Sequence, residues 1–491
     1  MIKQTGRFDL YDFLARHRSE IVAEAETIGK DLAVPDELRD RLGSTGANSA
    51  LPGILRRRCL AAIDEGMSSI QSPKDIGDEI RRLVKSVYGD DYDAVPTNSC
   101  ESALLVTYDA LLTPPKVGPG EPYRSRVVGL VERHAEHHMS YGRPFPPRYK
   151  DGFADRGATA GELGLIGRVQ YATDCVMVPM SGARYELHGI KMHPTPLLME
   201  TDAVETTETI KRAASTHATN LSGFVTLGYD TVGYGYGEKV DSDVPMLQKN
   251  IGDLAAQYGV PYITDNAWGL PFIGADPREL GSDAMLYSMD KVGGAPTTGL
   301  IIGKEWPMVN IRRAMGVHGE RFGTPSAHGK GLHVHADPGK MSMLGLLAAL
   351  RILKDEPESI TAPIDNIFDI VTDEYSRMKG DLPAGIVITK SYNFGGVEVN
   401  YERTWRASDG GSKIGIPIFN NEDRVAGSNI LSHVTAAMGI LPGVTDDANV
   451  IINPGLGTSA SSGQLIEENM RLVARGMFRA FALMADWASR V

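Results

Sequence analysis

The chain has 491 residues, 42% of them hydrophobic and 23% charged, which is enough for a large buried core and for two or three domains of ordinary size. Fifty Lys and Arg against 62 Asp and Glu leave a formal net charge of -12, which opposes nucleic-acid binding as the main activity, because phosphate backbones demand a basic face. Three scattered cysteines, Cys59, Cys100 and Cys175, make neither a disulfide framework nor a thiolate zinc site; with no apolar leader and no run of 18 or so apolar residues, the expectation is a soluble protein of the reducing cytoplasm.

Residues 1–75 read as an N-terminal helical arm, broken at 43–53 by the polar, glycine-rich GSTGANSALPG. Ile76, Ile80, Leu83 and Val87 then fall at helical spacing, and TNSCESALLVTYDALL at 97–112 opens a second helix with Thr, Asn and Ser capping chemistry. Within 221–303, SGFVTLGY reads as a strand. Leu247, Ile251, Leu254 and Tyr258 share one helical face that stops at Gly259, and VPYIT is again strand-like. That β-α-β unit predicts an α/β fold with a mostly parallel sheet, assigned to a large domain at 76–335. Two more apolar runs, DAMLYS and GLIIG, bracket a glycine-rich turn. The helices MSMLGLLAALRILKD and IEENMRLVARGMFRAFALMADW, with short strands between them, make 336–491 a smaller C-terminal α+β domain.

Asp265, in ITDNAWG, and Lys291, in YSMDKVGGAPTTGLIIG, each sit just past the C-terminal end of a strand, the edge of an open α/β sheet where ligands bind. A lysine that forms a Schiff base needs a rigid turn where its amine can lose a proton, and an aspartate opposite a pyridine nitrogen keeps that nitrogen protonated. Either residue alone reads as an N-capping aspartate or a solvated lysine. Together, with Ser288 three residues before the lysine, they point to chemistry at a cofactor ring.

Here the sequence resembles the fold-type I pyridoxal-phosphate enzymes over about residues 90–355. The resemblance is nearest to the branch that holds cysteine desulfurases, bacterial selenocysteine synthases and their sugar-acid ammonia-lyase relatives. SMDKVGGAPTTGLIIGK and KMSMLGLLAALRIL carry it, and TDNAWG followed by SMDK is similar to the phosphoseryl-tRNA:selenocysteinyl-tRNA synthases. The resemblance implies pyridoxal 5'-phosphate as cofactor, Lys291 as its covalent partner, Asp265 at the pyridine nitrogen and Ser288 near the phosphate. It also implies a fold-type I large domain and a homodimer or higher oligomer.

A phosphate needs backbone N–H groups at a helix N-terminus and small hydroxyl side chains, which Asn98, Ser99, Cys100 and Glu101 offer; by themselves they also make an ordinary capping box. In ERHAEHHMSYGRP, Glu136-His137 resembles the desulfurase E-H-H, whose first histidine stacks on the cofactor and moves protons. GERFGTPS resembles the desulfurase stretch whose threonine reaches the neighbouring subunit's phosphate, which would make the active site shared through Thr324; a turn-forming loop is the plainer reading. Two departures stand out. No cysteine lies beyond Cys175 to carry a persulfide, and Trp268 stands where desulfurases place Gln or His. His333, His335 and Asp337 have a spacing a metal could use, but no other cluster completes a site, so no metal is expected and the stretch reads as a loop at the site's mouth. GYGYG at 233–237 lacks phosphate-loop spacing and reads as a lining loop. Arg313, Arg321 and Arg424 are candidates for a substrate carboxylate among which the sequence does not choose. The expected activity is α,β-elimination or β-replacement on a small amino substrate, with transamination and a non-catalytic binding or regulatory protein on the same fold as alternatives. A tRNA partner finds no support in the net charge.

Overall fold

The computed structural model describes residues 7–43, 53–112, 124–131, 175–176, 191–196, 203–228, 244–315, 334–406, 415–417, 430–444 and 448–491. Eight strands form one sheet: β1 (Tyr92–Thr97), β2 (Arg126–Val131), β3 (Cys175–Val176), β4 (Lys191–Pro196), β5 (Leu221–Leu227), β6 (Tyr262–Asp265), β7 (Ala284–Ser288) and β8 (Gly299–Lys304). Their order is β1-β8-β7-β6-β5-β2-β4-β3. The five from β7 to β4 run parallel, whereas β8 is antiparallel to both β1 and β7, and β3 is antiparallel to β4. β5, β6 and β7 are buried along their whole length, as parallel strands covered on both faces must be. The α/β class with a mostly parallel sheet, expected from the sequence, is the class observed.

Local chemistry sets the flanking helices. Ser72 and Asp75 form a reciprocal capping box that opens the helix Pro73–Tyr88. Its buried row is Ile76, Ile80, Val84 and Tyr88, while Leu83 and Val87 are only partly buried. This corrects the face drawn from sequence: the i+4 row meets the sheet and the i+3 positions border it. The helix Met246–Tyr258 ends where Gly259 takes a left-handed conformation, the stop that the sequence marks.

A second sheet is antiparallel throughout, in the order β11-β12-β10-β9, built from β9 (Val387–Ser391), β10 (Gly396–Asn400), β11 (Gly443–Val444) and β12 (Asn449–Ile452). It shares a core with the helices Glu358–Met378 and Glu467–Ala488, and Leu10, Leu14, Ile21 and Leu32 of the first two helices enter that same core. The helices Arg57–Met67 and Pro73–Tyr88 pack instead with Gly339–Asp355 beside the large sheet. The N-terminal stretch therefore feeds two cores, and Gly339–Asp355 belongs by its contacts to the large sheet. Among the described residues, no helix is long and apolar enough to cross a membrane.

Candidate active site

The parallel strands deliver two charged residues to one buried place. Asp265 is the last residue of β6 and pairs in register with Leu286 of β7. Three residues past the end of β7 comes Lys291. Asp265 is 3% exposed and Lys291 is 6% exposed, so both are withdrawn from water, where a charge is costly unless compensated. Burial pushes the Asp265 carboxyl up to about 6, against the partly offsetting pull of Lys291. Burial likewise pushes the Lys291 amine below its usual range, although Cys100, Asp265, Asp290 and Glu101 all favour its charge. The result is an amine more readily neutral, and so more nucleophilic, than a surface lysine.

Neighbouring groups fix these two side chains. The Ala267 amide donates to Asp265 Oδ1 at 3.2 Å. Lys291 Nζ lies 5.3 Å from the centroid of the Trp268 ring, within cation–π range, and Phe394 packs edge-on against that indole at 4.8 Å. Just behind Asp265, the Asn266 amide donates to Asn393 Oδ1 at 2.8 Å while Asn393 Nδ2 donates to the Gly228 carbonyl at 2.8 Å. These bonds tie the end of β6 to the hairpin between β9 and β10.

The helix Cys100–Leu112 starts at the same place. The Ser99 hydroxyl accepts from the Ser102 amide at 3.1 Å, so Ser99 is the N-cap. The amides of Cys100 and Glu101 fall in the first turn, where a helix has no intrahelical acceptors to offer. Cys100 is buried, and burial raises its thiol well above the usual range, with Asp265 adding to the effect. Nearby Asp265 and Lys291 both register the Glu101 charge. Asn98 is anchored to the neighbouring 3-10 turn, its side chain donating to the His335 carbonyl at 2.8 Å.

The structure thus brings together Lys291, Asp265, Cys100 and Glu101, with Asn98 and Ser99 at the entrance of the same helix. Ser288 donates its hydroxyl to Asp290 Oδ1 at 2.7 Å. Asp290 escaped the sequence reading, although it stands inside the SMDK motif. Its side chain is 1% exposed, and Oδ2 has no hydrogen-bond partner among the described residues. The Asn266–Asn393 pair also escaped, because it joins positions far apart in sequence and no local pattern announces it. His137, Thr324, His333, Arg321, Arg424 and the GYGYG stretch lie outside the described residues. Arg313 is on the helix Glu305–Met315. His335 places its backbone against Asn98, and the Asp337 carboxylate accepts from the Gly339 amide at 2.9 Å. Among the described residues, no cluster of His, Cys, Asp and Glu is placed to hold a metal ion.

No protein-family model matches the sequence, and no curated protein matches it. Among solved structures, the chain is similar to a SepCysS–SepCysE N-terminal domain complex, at 12% identity and a TM-score of 0.49 over 91% of this chain and 95% of that one. It is similar to the ureidoglycine-glyoxylate aminotransferase of Bacillus subtilis at 12% identity and a TM-score of 0.48, over 88% of this chain and 94% of that one. A taurine:2-oxoglutarate aminotransferase from Bifidobacterium kashiwanohense, solved with PLP and glutamate, shares 11% identity at a TM-score of 0.49, over 89% of this chain and 86% of that one.

Proposed function

We propose that the chain is a pyridoxal-phosphate enzyme of the fold-type I class, acting on the amino group of a small substrate with Lys291 as the residue that holds the cofactor. The observation that carries this reading is the buried Lys291 amine beside the buried Asp265 carboxyl, both at the C-terminal edge of parallel strands. The donor set fits the group: a buried amine, a buried carboxyl close enough to feel its charge, an indole beside the amine and the open first turn of a helix.

When bound, pyridoxal phosphate supplies an electron sink for a bond broken next to the substrate nitrogen. Asp265 would hold the proton on the ring nitrogen, and its burial makes that ion pair stronger than it would be in water. The first-turn amides of Cys100 and Glu101, with the Ser99 hydroxyl, would receive the phosphate; Glu101 would act through its backbone, since its carboxylate repels an anion. The Lys291 amine would carry a proton to or from the substrate carbon. Trp268 excludes water from that amine and limits the ways in which it can swing. His137 as the stacking group and Thr324 as a contribution from a partner subunit of a homodimer rest on the sequence resemblance, and so does a cytoplasmic location.

Among reaction types we propose α,β-elimination or β-replacement, on the strength of the same resemblance. The test is an absorption spectrum of the purified protein before and after each of a panel of amino acids, with assays for ammonia and for oxo-acid products. Elimination releases ammonia and returns the starting spectrum. Stoichiometric oxo acid with a lasting shift to a pyridoxamine-type spectrum selects transamination instead. A protein that takes up no pyridoxal phosphate overturns the reading.

A further inference from the structure

Two backbone carbonyls of the turn that carries Lys291 are satisfied from within: the Ala295 amide donates to the Met289 carbonyl at 3.0 Å and the Gly294 amide to the Lys291 carbonyl at 3.1 Å. Two more are taken by a distant piece of chain. The Gly53 amide donates to the Asp290 carbonyl at 2.7 Å, and the Arg56 amide donates to the Gly294 carbonyl at 3.3 Å. Contact is so close that a Cβ on Gly53 would sit 2.2 Å from the Lys291 carbonyl oxygen, a distance real side chains do not reach. Only glycine fits there.

The same segment is fastened at its far end to the other side of the crevice. Arg57 donates its amide to the Ser461 carbonyl at 3.2 Å. The Arg56 guanidinium reaches the Ser359 carbonyl at 3.4 Å and the Ser462 carbonyl at 3.5 Å, lying so near Gly463 that a Cβ there would be 1.7 Å from Nη1. Arg56, Lys291, Ser459 and Gly463 line one crevice.

We propose that Gly53–Arg57 is a clasp that positions Lys291, gripping its turn on the large-sheet side while anchored on the loop 459–463, so that Gly53 and Arg56 are positioning residues for the reacting amine. The proposal deepens the reading of Lys291 as nucleophile and rests on it. A lysine on a loose turn would let water reach its amine and would lose the desolvation that favours its neutral form. The clasp holds that turn shut. It also makes the setting of Lys291 depend on a loop that follows β12, so a shift of that loop would be felt at the amine.

The test uses the full chain without cofactor, treated with trinitrobenzenesulfonate across a range of pH, with the labelled peptides quantified by mass spectrometry and Lys304 as internal reference. Four groups bear on the Lys291 amine: Cys100 and Glu101 from the helix, Asp265 from β6 and Asp290 from its own turn. None is changed by the variants. In Gly53→Ala and in Gly463→Ala, both of which keep the Arg56 charge, the pH midpoint of Lys291 labelling is expected to rise by about one unit or more as water enters, while that of Lys304 stays put. Where Gly53→Ala does not fold, Gly463→Ala decides, since it crowds the Arg56 guanidinium at the far anchor and keeps its charge. Folded variants whose melting temperature falls but whose Lys291 midpoint equals wild type would overturn the clasp and leave a merely structural strap. Wild-type protein that takes up no pyridoxal phosphate would end the cofactor reading alone, because the comparison of midpoints needs no cofactor.

Discussion

Asp265 makes opposite contributions to folding and to the proposed chemistry, and pH separates them. Its carboxyl is raised by burial to about 6 from the ordinary 3.8. A folded-state value above the unfolded one means that the folded chain holds this proton more tightly. The contribution to stability is therefore complete below pH 4 or so and is lost as pH rises through 6. In the cofactor-free chain, Asp265→Asn is expected to raise resistance to urea at pH 8 and to change it little at pH 4, where the native carboxyl is already neutral. Equal effects at the two pH values would show a carboxyl that titrates as it does in water. In the loaded enzyme the same variant is expected to lower kcat by about a hundredfold or more while the cofactor stays bound, since an amide cannot hold the ring-nitrogen proton by charge. The pair was legible in the sequence because each residue stands at or just past the end of a short apolar run. Trp268 was marked only as a departure from the resemblance, and the orphaned oxygen of Asp290 was not legible, because it follows from how distant strands and loops meet.

The elements around the site are locked by a buried charge cluster that is independent of it. Asp93 on β1 is 1% exposed; it accepts from Arg81 of the helix Pro73–Tyr88 at 2.8 Å through Oδ1 and from Arg312 of the helix Glu305–Met315 through Oδ2. Burial alone would raise this carboxyl, but the Arg81 hydrogen bonds and the Arg312 charge outweigh it and hold it below the usual range. Its stabilising effect is thus present above pH 4 or so and is lost on acidification. Asp93→Asn takes from a fully buried guanidinium the carboxylate that it hydrogen-bonds and is expected to cost about 3 kcal/mol, read as a lower urea midpoint at pH 7 with catalysis per folded molecule unchanged. A loss below about 0.5 kcal/mol would mean that water reaches Arg312. At this scale the sequence was most readable where one residue type settles the matter, as with Gly259 ending the helix Met246–Tyr258. It was least readable where packing decides. The helix Pro73–Tyr88 buries Val84 and Tyr88 rather than Leu83 and Val87, and both rows are apolar enough to have served.

Across the whole molecule, the chain returns on itself to build both the small core and the candidate site. Leu10, Leu14 and Ile21 pack with Met470, Val473 and Phe481 from the far end of the chain, and Gly53 closes on the lysine turn. Such long-range returns carry no local signature, which is why residues 1–75 read as a single arm. The α/β class was legible from the run of strand, helix and strand before Lys291, since a right-handed crossover leaves few other arrangements. The central claim is that this fold exists to present Lys291 to a cofactor aldehyde, and its most direct test is chemical. Full-length protein loaded with pyridoxal phosphate is reduced with borohydride, digested and mapped by mass spectrometry. The account predicts one reduced pyridoxyl adduct, on the peptide that contains Lys291, with none in Lys291→Ala. A stoichiometric adduct on any other lysine, or no adduct in protein that binds the cofactor, would contradict it.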